Sequence, residues 1–494
     1  MSPELILSVV LGYFAVLIAI SYFTSRNATE ESFYTGDRQS PWYLVAFGMI
    51  GASLSGITFI SIPGWIGTQN FAYMQMVFGY ILGYIVIAYV LMPLYYKLNL
   101  TSIYAYLGQR FGAAAHKTGA FFFLISRVLG ASFRLFLVVD VLQAFVFDSI
   151  GIPFWVTTAG SLLLIWLYTF RAGIKTVVWT DTLQTFFMLL SLGLTIYFIL
   201  NQQNWTISES WTALSDRGLT QIFEFNDFKS NLFFPKHFFG GMFVAIAMTG
   251  LDQDMMQKNL TCKNDKEARR NMMSFTAILV VVNFVFLFLG GLLYLYIDAN
   301  GLAIPTKIVG DETVAAADRL FPFVAMEQLP TLAGVTFLIG LIAAAYSSAD
   351  SALTSLTTSF NLDFLGLDTK SAKKKKSTRL VVHIGFSILL LFVILLVNAT
   401  NKTSVIASMF DFSTYTYGPL IGLFAFGIFT QRTTNPIGLV LISIASPILI
   451  YLLALNSPKI FDGYQFGYEK LILNGLLTYL GLWAISKKPK ATPL

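Results

Sequence analysis

The chain has 494 residues, of which 56% are hydrophobic and only 12% are charged, and its mean hydropathy is +0.68. This composition is too apolar for a soluble protein and too evenly apolar for a protein with one membrane anchor. The net charge of +6 does not indicate a nucleic-acid partner, because most of the charges lie in short loops between apolar segments. The single cysteine, Cys262, excludes an intramolecular disulfide framework.

Apolar segments recur along the whole chain, and a membrane-spanning helix needs about 20 such residues. We therefore predict an all-α protein with one transmembrane domain, 1–494. The N-terminal stretch lacks a charged region and a small-residue cleavage site, so we expect a retained span rather than a signal peptide. The thirteen predicted spans are 4–24, 43–69, 71–95, 118–147, 153–170, 176–200, 236–257, 272–297, 330–360, 380–398, 404–430, 435–455 and 469–485.

The distribution of lysine and arginine predicts the orientation of these spans. If the N-terminus lies outside, 22 of the 32 basic residues, Lys258 among them, fall in inner loops. Eight fall in outer loops, and Arg127 and Arg134 lie within a span. By the positive-inside rule, we expect an inner (plasma) membrane protein with its N-terminus outside and its C-terminus in the cytoplasm.

Two spans look interrupted. In the second span, Gly51 and Gly56 bracket two serines; in the seventh, Gly250 precedes the sequence Asp-Gln-Asp at 252–254. Irregular backbone at membrane depth is tolerated only where it is buried in protein or lines a cavity. Matching interruptions in two halves point to a transporter's binding site, although isolated glycines are also common in membrane helices. Five spans separate the two breaks, which predicts an inverted repeat.

The ninth span carries an unusual group of polar residues. Ser347, Asp350 and Ser351 fall on one helical face, and Ala344 lies one turn earlier on it. Hydroxyls and small residues also line ordinary contacts between membrane helices. Such a contact does not need a carboxylate, however, and oxygen ligands suit a hard cation. We therefore predict a cation site here.

Three of the other ionisable residues in predicted spans are candidate site residues. Arg127 and Arg134 are seven residues apart on one helical face, and an arginine fork suits an anionic solute. The alternative is a structural ion pair with Asp140 or Asp181. Asp181 either begins its helix favourably or is a second carboxylate that approaches Asp350.

Several chemistries are not indicated. Three scattered histidines and one cysteine give no metal-ligand spacing, and the sequence has no Walker loop and no GxSxG motif. We therefore expect no enzyme, and a transporter driven by an ion gradient.

Five stretches carry a resemblance to a known family. They are 33–42 (FYTGDRQSPW), 55–63 (SGITFISIP), 178–184 (VWTDTLQ), 252–257 (DQDMMQ) and 345–351 (AYSSADS). Over nearly its whole length the chain resembles the sodium/solute symporter family, which implies a LeuT-type five-plus-five inverted repeat with a broken first helix in each repeat. Segments 54–63 and 125–128 are similar to the bacterial sialic acid transporter branch. The implied units are an extra helix at 4–24, repeats at 43–200 and 236–430, and two C-terminal helices at 435–485.

The resemblance implies two sodium ions. The first site maps to Gly51, Leu54, Ala344, Ser347 and Ser348. The second site maps to Asp181, Ser347, Asp350 and Ser351. In the sialic acid branch serine stands at the position of Asp350, so the identity of the second ion stays open between sodium and a proton.

The resemblance also implies a solute site. Arg127 would bind a carboxylate, and the hydroxyls would come from Ser53, Ser55 and Thr58. The branch's glutamine falls on Val77, two residues from Gln75. With Tyr73, which follows the first break, the predicted solute ligands are Ser53, Ser55, Thr58, Tyr73, Gln75 and Arg127.

The predicted function is sodium-coupled import of a small organic solute by alternating access, with sialic acid or a related sugar acid as the best candidate. A neutral monosaccharide is the alternative, and a transporter-like solute sensor is a second one. We expect a monomer in a lipid bilayer, without a nucleic-acid partner.

Overall fold

The structure is a computed structural model that describes residues 3–26, 28–170, 173–309, 312–367, 372–400 and 405–488. Its first helices are α1 (Pro3–Ser25), α2 (Glu30–Thr35), α3 (Trp42–Gln69), α4 (Tyr73–Val86), α5 (Met92–Lys97), α6 (Ala105–Phe111), α7 (Ala113–Leu142), α8 (Phe154–Thr169), α9 (Ile174–Gln203) and α10 (Ile207–Asp216). The second half holds α11 (Phe234–Ala245), α12 (Gln253–Asn259), α13 (Asp265–Ala299), α14 (Leu320–Phe323), α15 (Thr331–Ser359), α16 (Ala372–Ala399), α17 (Val405–Phe429), α18 (Pro436–Ile460) and α19 (Glu469–Ile485).

Helices lie on all thirteen predicted ranges, although several begin or end a turn or two outside the predicted limits. Among the described residues, nine helices are long and apolar enough to cross a membrane, and the bent α3 makes a tenth. The mainly helical membrane fold is therefore confirmed. The number of thirteen crossings stays a prediction.

One short segment departs from the predicted all-α architecture. In the connection before α14, β1 (Thr306–Val309) pairs antiparallel with β2 (Glu312–Ala315), with Thr306 opposite Ala315. Both strands are rich in β-branched residues, which favour extended backbone. A hydropathy criterion does not detect such a hairpin, because the connection is too polar to be a span.

The two predicted helix breaks are confirmed. The halves of α3, Trp42–Leu54 and Thr58–Gln69, meet at an angle of 54°. In the seventh span, α11 passes into a π-helical turn at Ile246–Gly250, and α12 begins after Asp252. The break in the seventh span leaves carbonyl groups that a continuous helix would have paired. Nearby side chains supply the missing partners, as described below.

Helix α15 is the centre of the packing. Every residue from 340 to 359 is buried, and the helix contacts α3, α7 and α9. A helix that is buried all round normally carries few polar groups. The polar group predicted for the cation site therefore lies in the protein interior and faces other helices, away from lipid.

Loops predicted to share a side of the membrane contact one another. Lys175 and Asp37, from two predicted inner loops, form an ion pair of 2.8 Å. Lys229 and Asp462, from two predicted outer loops, form one of 2.6 Å. The prediction that Lys258 belongs to an inner loop is wrong, because this residue lies in α12 and its side chain is only 1% exposed.

Close contact between α4 and α11 generates a stability prediction. A Cβ atom at Gly241 would lie 2.2 Å from the Met76 carbonyl oxygen, and one at Gly79 would lie 2.0 Å from that of Phe238. Because helix backbone cannot move aside cheaply, Gly241→Val should destabilise the fold by about 1–3 kcal/mol or more. Thermal unfolding in detergent measures the loss. Gly193→Val is the control, since nothing lies within 4 Å of a Cβ at Gly193; equal melting temperatures would contradict the prediction.

Candidate solute and cation sites

A cavity lies beside the break in α3, enclosed also by α4, α7, α11 and α13. Its volume is about 80 Å³, whereas small-molecule sites usually begin at about 300 Å³. The cavity must therefore widen before it can hold a sugar-sized solute. Its lining includes Ser53, Thr58, Tyr73, Arg127, Arg134 and Asn283.

Four of the six predicted solute ligands thus surround one cavity. The side chain of Ser55 lies outside the described part of the chain. Gln75 is buried but does not line the cavity: its amide nitrogen donates to the Leu232 carbonyl at 3.0 Å, and its amide oxygen accepts from the Glu224 amide at 3.1 Å. These bonds hold the connection before α11, so Gln75 fits an anchoring role better than solute binding.

The Arg127 guanidinium is already paired inside the protein. It contacts the Asp254 carboxylate and lies 3.9 Å from Asp252. Asp254 also accepts a hydrogen bond from Ser351 on α15, and Asp252 accepts one from Tyr417 on α17. The side chains of Arg127 and of both aspartates are almost fully buried, so their charges must be balanced locally.

The alternative of a structural ion pair is found for Arg127, but its partner is neither Asp140 nor Asp181. Asp140 pairs with Arg319 at 3.3 Å, and Asp181 pairs with Lys258. Arg134 lines the same cavity as Arg127, and among the described residues it has no ion-pair partner. Its buried Nε also lacks a hydrogen-bond partner there. Arg134 is therefore the cavity's more available cation.

The residues predicted for the first sodium ion lie where α15 meets the break in α3. Ser348 Oγ donates to the Ala52 carbonyl at 3.5 Å, and the Gly51 amide donates to Thr185 Oγ1 at 3.0 Å. Leu54 and Ala344 are buried at the same junction. A weakly held hydroxyl beside carbonyl groups of an interrupted helix offers oxygen ligands of the kind that a hard cation needs.

The residues predicted for the second ion divide into two groups. Ser347 Oγ donates to Asp181 Oδ1 at 2.6 Å, which joins α15 to α9. Ser351, by contrast, donates a hydrogen bond to Asp254, the partner of Arg127. Asp181 Oδ2 lies 2.7 Å from the Lys258 ammonium, and both side chains are 1% exposed.

Asp350 is the second carboxylate predicted for this cation site. Its Oδ2 accepts hydrogen bonds from Tyr168 at 2.8 Å and from Thr180 at 3.5 Å. Its Oδ1 is buried and has no hydrogen-bond partner among the described residues. An unsatisfied buried carboxylate oxygen is costly, and a monovalent cation is the type of ligand that would satisfy it. The donor set therefore fits sodium.

Sequence reasoning missed Lys258 and the partner role of Asp254. A signal was present, because these two residues are four apart and so share a face of α12. The predicted seventh span ended at residue 257, which assigned Lys258 to a loop. The break itself is held by tyrosines: Tyr95 donates to the Gly250 carbonyl at 2.8 Å, and Tyr104 donates to that of Leu251 at 2.9 Å.

The chain matches known transporters over most of its length. The model of the Sodium:solute symporter family matches residues 33–440, and the chain therefore belongs to that family. It is a multi-pass membrane protein and a sodium-coupled symporter of a small solute.

Two curated relatives and one solved structure illustrate the similarity. Sodium/sialic acid symporter SiaT of Proteus mirabilis (strain HI4320) is 26% identical over 438 residues, which cover 86% of this chain and 84% of that protein. Sodium/sialic acid symporter NanT of Aliivibrio fischeri (strain ATCC 700601 / ES114) is 23% identical, with 85% and 82% covered. A substrate-bound outward-open Na⁺-coupled sialic acid symporter shares the fold, with a TM-score of 0.81, 21% identity and coverage of 98% and 99%.

The ion pair between Arg127 and Asp254 predicts a large stability effect. Asp254→Asn leaves the arginine charge without its main partner, which should destabilise the protein by roughly 3–5 kcal/mol. Thermal unfolding in detergent measures this loss. The exposed pair Arg217–Asp298 is the control: Asp298→Asn should cost at most about 1 kcal/mol. Similar losses for the two variants would show that burial does not decide the strength of the first pair.

Proposed function

We propose that this symporter imports sialic acid or a related sugar acid. The observation that carries the proposal is Arg134, which lines the cavity without an ion-pair partner among the described residues. A planar guanidinium binds a carboxylate through two parallel hydrogen bonds. The names of the two bacterial relatives support the same substrate class. Hydroxyl groups of Ser53 and Thr58 at the cavity wall suit a polyhydroxylated solute.

Arg127 would take part once the cavity widens. In this conformation its charge is met by Asp254 and Asp252. A solute carboxylate could replace Asp254 at the guanidinium, and Ser351 would still hydrogen-bond the displaced aspartate. We propose that Ser53, Ser55, Thr58, Tyr73 and Arg127 contact the solute, together with Arg134.

A neutral monosaccharide is the second candidate. The observation that favours it is charge balance: Arg127 pairs with Asp252 and Asp254, and Arg134 is near enough to Asp252 to feel its charge, so the two arginines and two aspartates are together electroneutral without a solute. A neutral solute would preserve the balance, whereas an anion would change it. The two candidates therefore differ in whether Arg134 is needed for uptake.

For coupling, we propose two sodium ions. One would bind Gly51, Leu54, Ala344, Ser347 and Ser348 between α3 and α15, and one would bind near Asp181 and Asp350. Two sodium ions with a monoanionic solute carry one net charge inward. That charge gains about 2.3 kcal/mol per 100 mV, or roughly fifty-fold accumulation. One sodium ion with the same solute would gain nothing from the membrane potential.

The first site would link sodium to the conformation of the transporter. A cation between the broken α3 and the buried α15 would fix the junction that borders the solute cavity. Linkage requires that sodium raise solute affinity by the factor by which solute raises sodium affinity. Alternating access would then move the two repeats, 43–200 and 236–430, against each other around this junction.

We also propose a monomer in the inner (plasma) membrane, with the N-terminus outside and the C-terminus in the cytoplasm. The contacts among predicted inner loops and among predicted outer loops support the grouping of loops into two sides. The lysine and arginine excess then supports the assignment of the cytoplasmic side.

Uptake into proteoliposomes tests the substrate proposal. Radiolabelled N-acetylneuraminic acid should accumulate only with an inward sodium gradient. Arg134→Gln should raise the half-saturating solute concentration by roughly tenfold or more, because a charge-assisted bond is lost. Arg217→Gln, at an exposed arginine, is the control. If sodium instead drives the uptake of neutral monosaccharides and Arg134→Gln does not affect that uptake, the sugar-acid proposal is wrong and the neutral monosaccharide is the substrate.

Sodium titration of uptake tests the first cation site. Ser348→Ala removes one oxygen ligand, so the half-saturating sodium concentration should rise by roughly tenfold. Ser8→Ala is the matched control, because Ser8 is exposed and its hydroxyl bonds only its own helix. An unchanged sodium dependence in Ser348→Ala would remove Ser348 from the site.

A further inference from the structure

Lys258 is a buried cation beside Asp181, one of the carboxylates of the proposed second sodium site. It lies near the end of α12, with its ammonium 2.7 Å from Asp181 Oδ2 on α9. The other oxygen of Asp181 accepts the Ser347 hydroxyl of α15 at 2.6 Å. A lysine therefore contacts one of the carboxylates that would otherwise be available to a second sodium ion.

Asp350 lies one helical turn from Ser347 and is fully buried. Thr180, which precedes Asp181 on α9, donates a hydrogen bond to Asp350 Oδ2 at 3.5 Å, so Asp350 lies beside the pair of Asp181 and Lys258. Its Oδ2 is hydrogen-bonded to Tyr168, while its Oδ1 has no partner among the described residues. The region thus holds two carboxylates, one ammonium and one unsatisfied carboxylate oxygen.

The remaining ionisable groups near this cluster do not balance its charge. Tyr13 of α1, Tyr168 of α8 and Tyr346 of α15 are phenols, which are neutral at physiological pH. With both carboxylates ionised, two negative charges face one positive charge. A buried uncompensated charge is strongly unfavourable. The cluster therefore has room for one more monovalent cation.

We propose that Lys258 is a tethered counter-ion that sets the sodium stoichiometry of this site. Asp181 and Asp350 together bind two monovalent cations, of which one is always the Lys258 ammonium and the other is a transported sodium ion. The inference deepens the proposed second sodium site and rests on it. A count of the carboxylates alone would predict two sodium ions at Asp181 and Asp350. Because Lys258 supplies one of the two positive charges, we expect one sodium ion.

A charge-balance series of variants tests the assignment. Lys258→Met removes the tethered cation, so the protein should bind one sodium ion more than the parent. Asp350→Asn removes one negative charge, so it should bind one fewer. The double variant restores the balance and should bind the same number as the parent. Equilibrium binding of radiolabelled sodium to purified protein gives these numbers without knowledge of the solute.

Two exposed positions provide matched controls. Lys459→Met and Asp216→Asn make the same chemical changes at exposed residues of α18 and α10 and should leave sodium binding unchanged. The sodium dependence of the melting temperature gives a second readout: it should become steeper in Lys258→Met and shallower in Asp350→Asn. If Lys258→Met does not fold, the double variant decides, because it leaves no unbalanced charge.

The assignment is overturned if Lys258→Met binds the parental number of sodium ions. It is equally overturned if the double variant binds as few as Asp350→Asn, since Lys258 would then not count as a cation of the site. Proton uptake in place of the extra sodium ion would refute sodium as the mobile cation. Absence of sodium binding by the parent protein would instead contradict the proposed function, and failure of sialic acid uptake alone would leave this test intact.

Discussion

The short helix α12 depends on the interruption that precedes it. Two groups of buried charges depend in turn on α12: the pair of Arg127 with Asp254, and the pair of Lys258 with Asp181. Asp252 begins the helix by accepting hydrogen bonds from the amides of Asp254 and Met255 at 2.9 and 3.3 Å. Without the break, α11 would continue in its own direction, and Asp254 and Lys258 would not lie at their present positions. With it, Asp254 reaches Arg127 on α7, and Lys258, one turn later on the same face, reaches Asp181 on α9. Seven residues thus connect the solute cavity to the cation cluster.

Helix α15 supplies hydroxyl groups to the carboxylates that pair with Arg127 and Lys258. Ser351 donates to Asp254, and Ser347 donates to the Asp181 that Lys258 contacts. Both serines lie on the face predicted for a cation site. Because each buried carboxylate receives both a cation and a hydroxyl, the cost of burying these charges is largely offset. Asp350 differs from these carboxylates, because among the described residues it receives hydroxyl groups but no cation and its Oδ1 has no hydrogen-bond partner, which is why the cluster points to a further cation.

Much of this arrangement could be predicted from the sequence. Glycines beside polar residues in an apolar span are costly unless the helix is interrupted, and that cost placed both breaks correctly. The polar face of α15 was equally visible, because a carboxylate in a span has few structural explanations. Sequence distance does not identify the solute residues, since Gln75 is close to Tyr73 in sequence but turns toward the backbone of the connection before α11.

The pairing of charges could not be predicted, because it depends on distances between helices that are far apart in sequence. Arg127 and Asp254 lie in different predicted repeats, and hydropathy says nothing about their separation. Lys258 is wrongly predicted to lie in a loop for a related reason: a charged residue that follows an apolar segment normally marks the start of a loop. The short helix after the break turns that charge inward. The hairpin before α14 was missed because it is too short and polar to give a signal.

Helix α12 carries charges that belong to both sites, which suggests how solute and sodium are linked. Asp254 pairs with Arg127, so a solute carboxylate at that guanidinium would replace a partner of α12. Lys258 pairs with Asp181, so a sodium ion in the proposed second site would bind next to another charge of α12. Because both events would involve the same short helix, the position of α12 that favours one would change the free energy of the other. Such shared dependence on one element is a physical basis for reciprocal coupling between two sites.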